Sequence, residues 1–388
     1  MQTSDLRIAL FSGNYNYVRD GANQALNRLV GYLLKQGASV RVYSPVVDEP
    51  AFPATGDLVN VPSFAIPNRP EYRIPFSLSG RVKRDLDTFS PNVVHISSPD
   101  RVARQAVKWA QRRNLPVLCS VHTRFETYLR YYNMSFAEPL VEAWLRKLYR
   151  KCDALVAPSE SFAQVLREQR MNYDIDIWSR GVDRDIFNPG RRDIDWRRAQ
   201  GLTDEPMVIG FLGRLVMEKG LDVFSDTIDQ LCRREVPHQV MVIGEGPARG
   251  WFESRLPHAK FVGFQGGADL GRAVAAMDLL FNPSVTETFG NVTLEAMACG
   301  LPVVAAKATG SQSLVVDKIS GRLITPGAIN QFADVLQSYC SDEALRATHG
   351  AAGEQRSLNY SWDAINQTVA DTYIRLIRQR AARTMIVR

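Results

Sequence analysis

The sequence is poor in cysteine, lacks any long apolar run and carries no acidic excess. Its five cysteines, Cys119, Cys152, Cys232, Cys299 and Cys340, are scattered over 388 residues, and no two form a C-x-x-C pair. An odd, dispersed set supports neither a zinc site nor a disulfide framework. It fits small buried residues in a reducing compartment. The apolar part of the leading residues, MQTSDLRIALFSGNYNY, is too short for a signal peptide. No run of about 18 apolar residues occurs, so no membrane span is expected. With 45% hydrophobic and 23% charged residues, wholesale disorder is excluded. A cytoplasmic globular protein is the expectation, with two or three domains at about 150 residues each.

What is present is a basic excess, a net charge of +6. That balance disfavours basic partners and admits nucleic acid, an anionic membrane or a phosphorylated substrate. The excess is local. Residues 1–180 hold 24 Lys and Arg against 17 Asp and Glu, whereas residues 181–388 hold 23 against 24. Within residues 101–151 there are 11 basic and 3 acidic residues, so this stretch accounts for the whole imbalance. It also carries Trp109, Phe125, Tyr128, Tyr131, Tyr132, Phe136, Trp144 and Tyr149.

Apolar runs of strand length alternate with helical patterns. Strands are expected at Leu6–Phe11, Val40–Tyr43, Val93–Ile96, Pro116–Val121 and Ala154–Ala157. A helix is expected over Ala22–Gln36, with Leu26, Leu29, Val30, Leu33 and Leu34 on one face. After Tyr173 the chain turns polar and reads as a linker. Alternation resumes at Met207–Leu212, Gln239–Ile243, Lys260–Val262, Leu279–Asn282 and Pro302–Ala305, and a last helix covers Trp362–Arg380. This βαβ pattern implies an α/β protein of two doubly wound, Rossmann-like domains. Ligands of such sheets bind beyond the carboxyl ends of the strands.

The informative residues follow strands. Met207–Leu212 leads into Gly213-Arg214-Leu-Val-Met-Glu-Lys219-Gly220. A glycine there allows close approach to the backbone, and Arg214 and Lys219 supply two cations suited to a diphosphate. Leu279–Asn282 leads into PSVTETFGNVTLEAMACG. A helix beginning near Asn291 places Gly290 and Asn291 at an anion-favouring N-terminus. Glu287 and Glu295, in the spacing E-x7-E, are suited to sugar hydroxyls on either side of that anion. Asp174-Ile-Asp176 and Asp193-Ile-Asp195 imitate a metal-binding D-x-D but fall in the linker. Gly244-Glu-Gly246-Pro-Ala-Arg-Gly250 is one residue too long for a dinucleotide fingerprint.

Together, GRLVMEKG, VIGEGP, FVGF and ETFGNVTLEAMACGLPVVA resemble the C-terminal half of the retaining GT-B glycosyltransferases of family 4, over about residues 207–327. Arg180-Gly181-Val182-Asp183, with Phe187 and Pro189, resembles the family's linker. The resemblance implies that Gly213, Arg214 and Lys219 bind the donor diphosphate. It gives Glu287 the donor sugar and Glu295 the ribose. The segment Thr288, Phe289, Gly290, Asn291 and Val292 would hold diphosphate or sugar through its amides, with Gly263 and Phe264 near the base. In the N-terminal half, the loop from Gly13 to Gly21 is similar to the acceptor-side loop, although it lacks the common Gly-Gly pair. His122, at a strand end, matches the family's active-site histidine. His95-Ile-Ser-Ser-Pro99 and the Tyr-rich sequence after His122 are similar to bacterial and plastid lipid glycosyltransferases of the sulfoquinovosyl and mannosyl type.

The implied layout is an acceptor-side domain over 1–176 and a donor domain over 177–361, facing across a cleft. The helix over 362–380 would pack back on the first domain. The implied activity is a metal-independent, retaining hexosyltransferase that uses a nucleotide diphosphate sugar as co-substrate and no cofactor. UDP is favoured over GDP, and Arg19 and Arg124 are the candidate cations for an acidic sugar. The acceptor is expected to be a membrane lipid, diacylglycerol or ceramide, with a polyprenyl-linked or soluble glycan as the alternative. Residues 101–151 would dock on an anionic membrane at the inner face of the cytoplasmic membrane, not on nucleic acid. A nucleotide-sugar epimerase and a non-catalytic binder are the other function classes.

Overall fold

The computed structural model describes residues 1–18, 21–66, 69–123 and 135–386. The chain forms two compact units, Met1–Arg180 with Trp362–Arg388, and Gly181–Ser361.

The first unit contains β1 (Arg7–Phe11), β2 (Ser39–Ser44), β3 (Asp57–Asn60), β4 (Ser63–Ile66), β5 (Arg69–Pro75), β6 (Val93–Ile96), β7 (Val117–Ser120), β8 (Ala154–Ala157) and β9 (Ile175–Ile177). Seven of these form a parallel sheet in the order β3-β2-β1-β6-β7-β8-β9, and β4 and β5 form a separate antiparallel pair. Residues on both faces of β6, β7 and β8 are buried, as expected of a parallel sheet covered by helices on each side. The helix Gly21–Lys35 buries Leu26, Leu29, Val30 and Leu33, whereas Leu34 is exposed.

The polar sequence after Tyr173 is not simply a linker. It contains β9, the edge strand of the first sheet. A strand of three residues with a central aspartate offers too little apolar periodicity to be read locally. Tertiary contacts explain it. Arg375 of the last helix, Trp362–Ile386, donates to both oxygens of Asp174 at 2.7 and 2.8 Å and to Asp176 at 2.8 Å. Thr372 donates to Asp176 at 2.6 Å. The D-x-D at 174–176 therefore docks the terminal helix. Buried Tyr373 completes that interface, its hydroxyl 2.6 Å from His95 Nδ1. Burial lowers the pKa of His95 to about 3, so this contact is made by a neutral imidazole.

The second unit contains β10 (Val208–Leu212), β11 (Gln239–Ile243), β12 (Lys260–Gly263), β13 (Leu279–Asn282), β14 (Val303–Ala306) and β15 (Gly321–Ile324). They form a parallel sheet ordered β12-β11-β10-β13-β14-β15. Alternate residues of β10 feed two cores. Val208 packs with Met241, Leu280 and Met297 on one face, and Ile209 and Phe211 pack with Phe224, Phe252 and Phe281 on the other. The direction of strand succession reverses between β10 and β13. The loops leaving these neighbours therefore diverge at a switch point, where such sheets accept ligands. Asp193 caps the helix Ile194–Ala199 by accepting from the Trp196 amide at 2.8 Å, which accounts for the second D-x-D.

Candidate active site

The loop after β10 is fastened to the loop after β11. Gly213 N donates to Ile243 O at 3.0 Å, Leu215 N to Glu245 O at 2.9 Å, and Ala248 N to Leu215 O at 3.0 Å. A Cβ on Gly246 would stand 2.3 Å from Leu215 O, so the glycine of the false dinucleotide fingerprint is needed for this backbone approach. Arg214 is exposed from the fastened loop, without a side-chain ion pair among the described residues. One turn later Lys219 Nζ lies 2.5 Å from Glu287 Oε1. Thr286 Oγ1 donates to Glu218 O at 3.3 Å, a second tie between the loops after β10 and β13.

The Glu287 loop is held from a third side. Thr309 Oγ1 and Gly310 N both donate to Glu287 O, at 2.7 and 2.9 Å. A Cβ at position 310 would stand 2.8 Å from Glu287 Cβ and from the carbonyl of Phe289. Phe289 is buried, edge-on to Tyr360 at 5.8 Å. Gly290 then adopts φ 98°, a left-handed geometry that favours glycine, and opens the helix Asn291–Ala298 without a side-chain cap. The amides of its first turn, Asn291 and Val292 among them, lack intrahelical partners. Thr288 and Glu295 are both half-buried. Burial, followed by the Glu287 charge, raises the Glu295 carboxyl to about 7, so near neutrality it exists in both protonation states. Gly263, at φ 72°, ends β12, and the Phe264 ring after it is exposed. An exposed aromatic ring at a ligand-binding edge offers a stacking face.

Gly213, Arg214, Lys219, Gly263, Phe264, Glu287 to Val292 and Glu295 thus belong to the carboxyl edge of the second sheet and the helix entered from it. This edge combines two cations, a carboxylate paired to one of them, a second carboxyl of raised pKa and an open helix N-terminus. It is equipped to bind an anion flanked by hydroxyl groups.

The first unit contributes fewer groups. Gly13 N donates to Ser98 Oγ at 2.9 Å, and Ser98 Oγ donates to Asp100 at 2.7 Å. Asp100 caps the helix Arg101–Arg112. Ser98 of the H-x-S-S-P segment therefore ties the loop after β1 to the loop after β6. Gly21 begins the helix Gly21–Lys35. Arg19 and Arg124 lie outside the described residues, as do Phe125, Tyr128, Tyr131 and Tyr132. His122 follows β7, and Arg180 Nη2 donates to its Nδ1 at 2.8 Å. Burial, with the charge of Arg180 adding to it, holds the His122 pKa well below the usual imidazole range. The Arg180 contact spans 58 positions and has no local signal; only the W-x-R-G-V-D run marks the residue.

The basic segment divides. Trp109 and Tyr149 are buried core residues rather than surface aromatics. Their positions on the inner faces of Arg101–Arg112 and Glu138–Tyr149 explain this. Phe136, Leu140 and Trp144 form an outward row at intervals of four, and they are 78%, 73% and 37% exposed. Arg104 lies over Trp144 at 5.3 Å, and Arg101, Lys108 and Lys147 are exposed. Among the described residues no helix is long and apolar enough to cross a membrane.

Known proteins resemble this chain. Residues 19–186 match the model of Glycosyltransferase Family 4, and residues 206–342 match that of Glycosyl transferases group 1. Sulfoquinovosyl transferase SQD2 of Arabidopsis thaliana is 29% identical over 370 residues, spanning 92% of this chain and 71% of the relative. A GDP-mannose-dependent alpha-mannosyltransferase of Mycobacterium tuberculosis is 30% identical over 285 residues, spanning 74% and 73%. Among solved structures, sucrose-phosphate synthase from Thermosynechococcus elongatus superposes with a TM-score of 0.75 at 20% identity, covering 96% of this chain and 99% of that one. Anabaena HepE in complex with UDP superposes with a TM-score of 0.74 at 20% identity, covering 95% and 100%. The chain belongs to glycosyltransferase family 4 and has the GT-B fold, two Rossmann-like α/β domains, of the glycosyltransferases.

Proposed function

We propose that this glycosyltransferase is a retaining, metal-independent hexosyltransferase. It moves a sugar from a UDP-sugar to a hydroxyl of a membrane lipid, diacylglycerol or ceramide. The observation that carries the reading is the convergence of Lys219, Glu287 and the uncapped helix N-terminus after Gly290. A diphosphate entering there competes with Glu287 for Lys219. Lys219 then neutralises phosphate, and Glu287 is released to accept hydrogen bonds from the donor sugar. Arg214 and the amides of the first turn stabilise the charge that develops on the leaving diphosphate, so fixed cations and dipoles carry out a task otherwise given to a metal ion. Glu295 meets the ribose hydroxyls.

Retention follows from attack on the face the leaving group departs from. The bond from the anomeric carbon to phosphate oxygen breaks and the bond to the acceptor oxygen forms. The leaving phosphate oxygen takes the acceptor proton, so no protein base is assigned. A sulfoquinovosyl transferase among the relatives and UDP bound to a protein of the same fold support the UDP donor. The GDP-mannose-dependent relatives make GDP-mannose the competing donor. Turnover with UDP-glucose, UDP-sulfoquinovose and GDP-mannose against diacylglycerol vesicles, in the presence of a chelator, tests the reading. An α-linked lipid product from a UDP-sugar is expected. Loss of turnover with the chelator, or isomerisation of the donor without acceptor, would overturn it.

The lipid acceptor is approached through the row Phe136, Leu140 and Trp144, whose apolar side chains enter the interface while Arg104 and Lys147 face anionic headgroups. The chain should float with anionic vesicles and much less with neutral ones. Leu140→Glu with Trp144→Glu should abolish flotation, and equal recovery on both lipid compositions would sink the idea.

A further inference from the structure

We infer that Arg180 is a positioning residue, which fixes the tautomer of His122 so that its Nε2–H is presented as a hydrogen-bond donor. The inference rests on the proposed glycosyl transfer, with His122 as the residue that matches the family's active-site histidine, and concerns what holds that imidazole in one form.

A guanidinium has N–H donors and no acceptor. The hydrogen shared between Arg180 Nη2 and His122 Nδ1, 2.8 Å apart, therefore belongs to Arg180. His122 Nδ1 must offer its lone pair, which leaves a neutral ring with its proton on Nε2. An imidazolium would set an N–H against an N–H and a cation against a cation. Burial and the charge of Arg180 act in the same direction.

Arg180 is itself held in place. It is 5% exposed, and its Nη1 donates to the carbonyls of Trp178 and Ser179 at 3.3 and 3.2 Å. Its guanidinium carbon lies 5.1 Å from the centroid of the Trp178 ring. The same ring meets His122 edge-on at 5.2 Å. Trp178 is fully buried and donates through Nε1 to Asn366 of the last helix at 3.2 Å. The imidazole is therefore framed by Arg180 at Nδ1 and by Trp178 at its edge, and both framing groups are anchored to backbone or core. A fixed Nε2–H suits a sugar oxygen or a developing negative charge. It cannot accept a proton, which agrees with the absence of a protein base in the proposed reaction.

The test reads the tautomer directly in the full chain. Long-range proton–nitrogen correlation spectra of ¹⁵N-histidine-labelled protein distinguish the two neutral tautomers and the cation, and His122→Gln assigns the signal. His122 is expected in the neutral Nε2–H form across about pH 5 to 8, the range in which an ordinary histidine titrates. A cationic or Nδ1–H ring in the unsubstituted protein overturns the inference without any Arg180 variant. Arg180→Lys keeps a cationic N–H donor of nearly the same reach and should keep the tautomer, with turnover reduced less than in Arg180→Leu. Arg180→Leu, with its fold checked by circular dichroism, should lose the single tautomer. Its kcat should fall on the order of 10²-fold, as misplacement of a reacting group does, with a smaller change in donor KM. An unchanged His122 spectrum in Arg180→Leu also overturns the inference. If the tautomer is lost but turnover persists in both Arg180→Leu and His122→Gln, the positioning stands and the catalytic reading of His122 fails.

Discussion

The two units share one architecture and differ in how their sites are made. Each is a parallel sheet whose strand succession reverses at one point, β1 to β6 in the first and β10 to β13 in the second. In the second unit charged side chains are gathered from loops adjacent in the sheet, and one cation is already paired with one carboxylate. In the first unit the imidazole of His122 is set against the cation of Arg180. The difference teaches that one sheet edge gathers charge from neighbouring loops, whereas the other holds a single histidine against one fixed cation. In the first unit most polar groups serve the scaffold instead: Ser98 and Asp100 hold the Gly13 loop, and His95, Asp174 and Asp176 hold the last helix.

The largest expected effect tests this division. Lys219→Ala should lower turnover by on the order of 10²–10³-fold, and Arg214→Ala by a similar factor, as loss of an electrostatic stabiliser does. His122→Ala should lower it by about 10²-fold, since one oriented donor is removed rather than a charge. Steady-state kinetics at saturating donor decide the order. A larger loss at His122 than at Lys219 breaks the comparison.

Gly310→Val probes the clamp on the Glu287 loop. The new side chain meets the Phe289 backbone and Glu287 Cβ, neither of them the far end of a flexible side chain. Donor KM should rise about tenfold and stability should fall by about 1–3 kcal/mol. Unchanged donor affinity by calorimetry would show that the loop can shift without harm.

Glu295 gives a pH dependence. Its folded pKa, about 7, lies above the ordinary value of 4.5, so the folded chain binds this proton more readily than the unfolded chain. Stability therefore decreases as pH rises from 4.5 to 7, and the ionised group remains unfavourable above that. Without nucleotide, Glu295→Gln should be more stable than the parent at pH 8 by on the order of 1–3 kcal/mol, with the gain shrinking towards pH 5. The same variant should bind donor more weakly. Denaturant melts at both pH values check the sign, and a gain that does not depend on pH would remove the carboxyl as its source.

The smallest effect belongs to the scaffold side. Arg375 and its aspartates are about one-third exposed. Arg375→Ala should cost about 1 kcal/mol of stability, the scale of solvent-screened ion pairs. Turnover at low temperature should be unaffected. A large loss of activity in a folded variant would mean that the last helix reaches further into function than its contacts indicate.

How legible all this was depends on the sequence distance over which each feature is made. Strands such as Val93–Ile96, Ala154–Ala157, Gln239–Ile243 and Leu279–Asn282 were readable to the residue, because a buried parallel strand is a continuous apolar run bounded by turn residues. β9 and the β4–β5 pair were not, because short or half-polar strands gain their stability from neighbours. At the carboxyl edge of the second sheet, Arg214, Lys219, Glu287 and Glu295 were readable as parts of two short motifs, each within one loop and the helix after it. The clamp by Thr309 and Gly310 was not, since it joins the loop after β13 to the segment after β14.

The sequence by itself determined the alternation, the two sheets, the family and the motif-borne residues from Gly213 to Glu295, because each of these rests on local periodicity or a contiguous run. Only the tertiary structure decided that Lys219 pairs with Glu287, that Asp174 and Asp176 hold a helix, and that Trp109 and Tyr149 are core. It alone set Arg180 against His122. Charge, burial and hydrogen-bond direction at those positions are set by groups tens to hundreds of residues away, and no local pattern encodes which of them will meet.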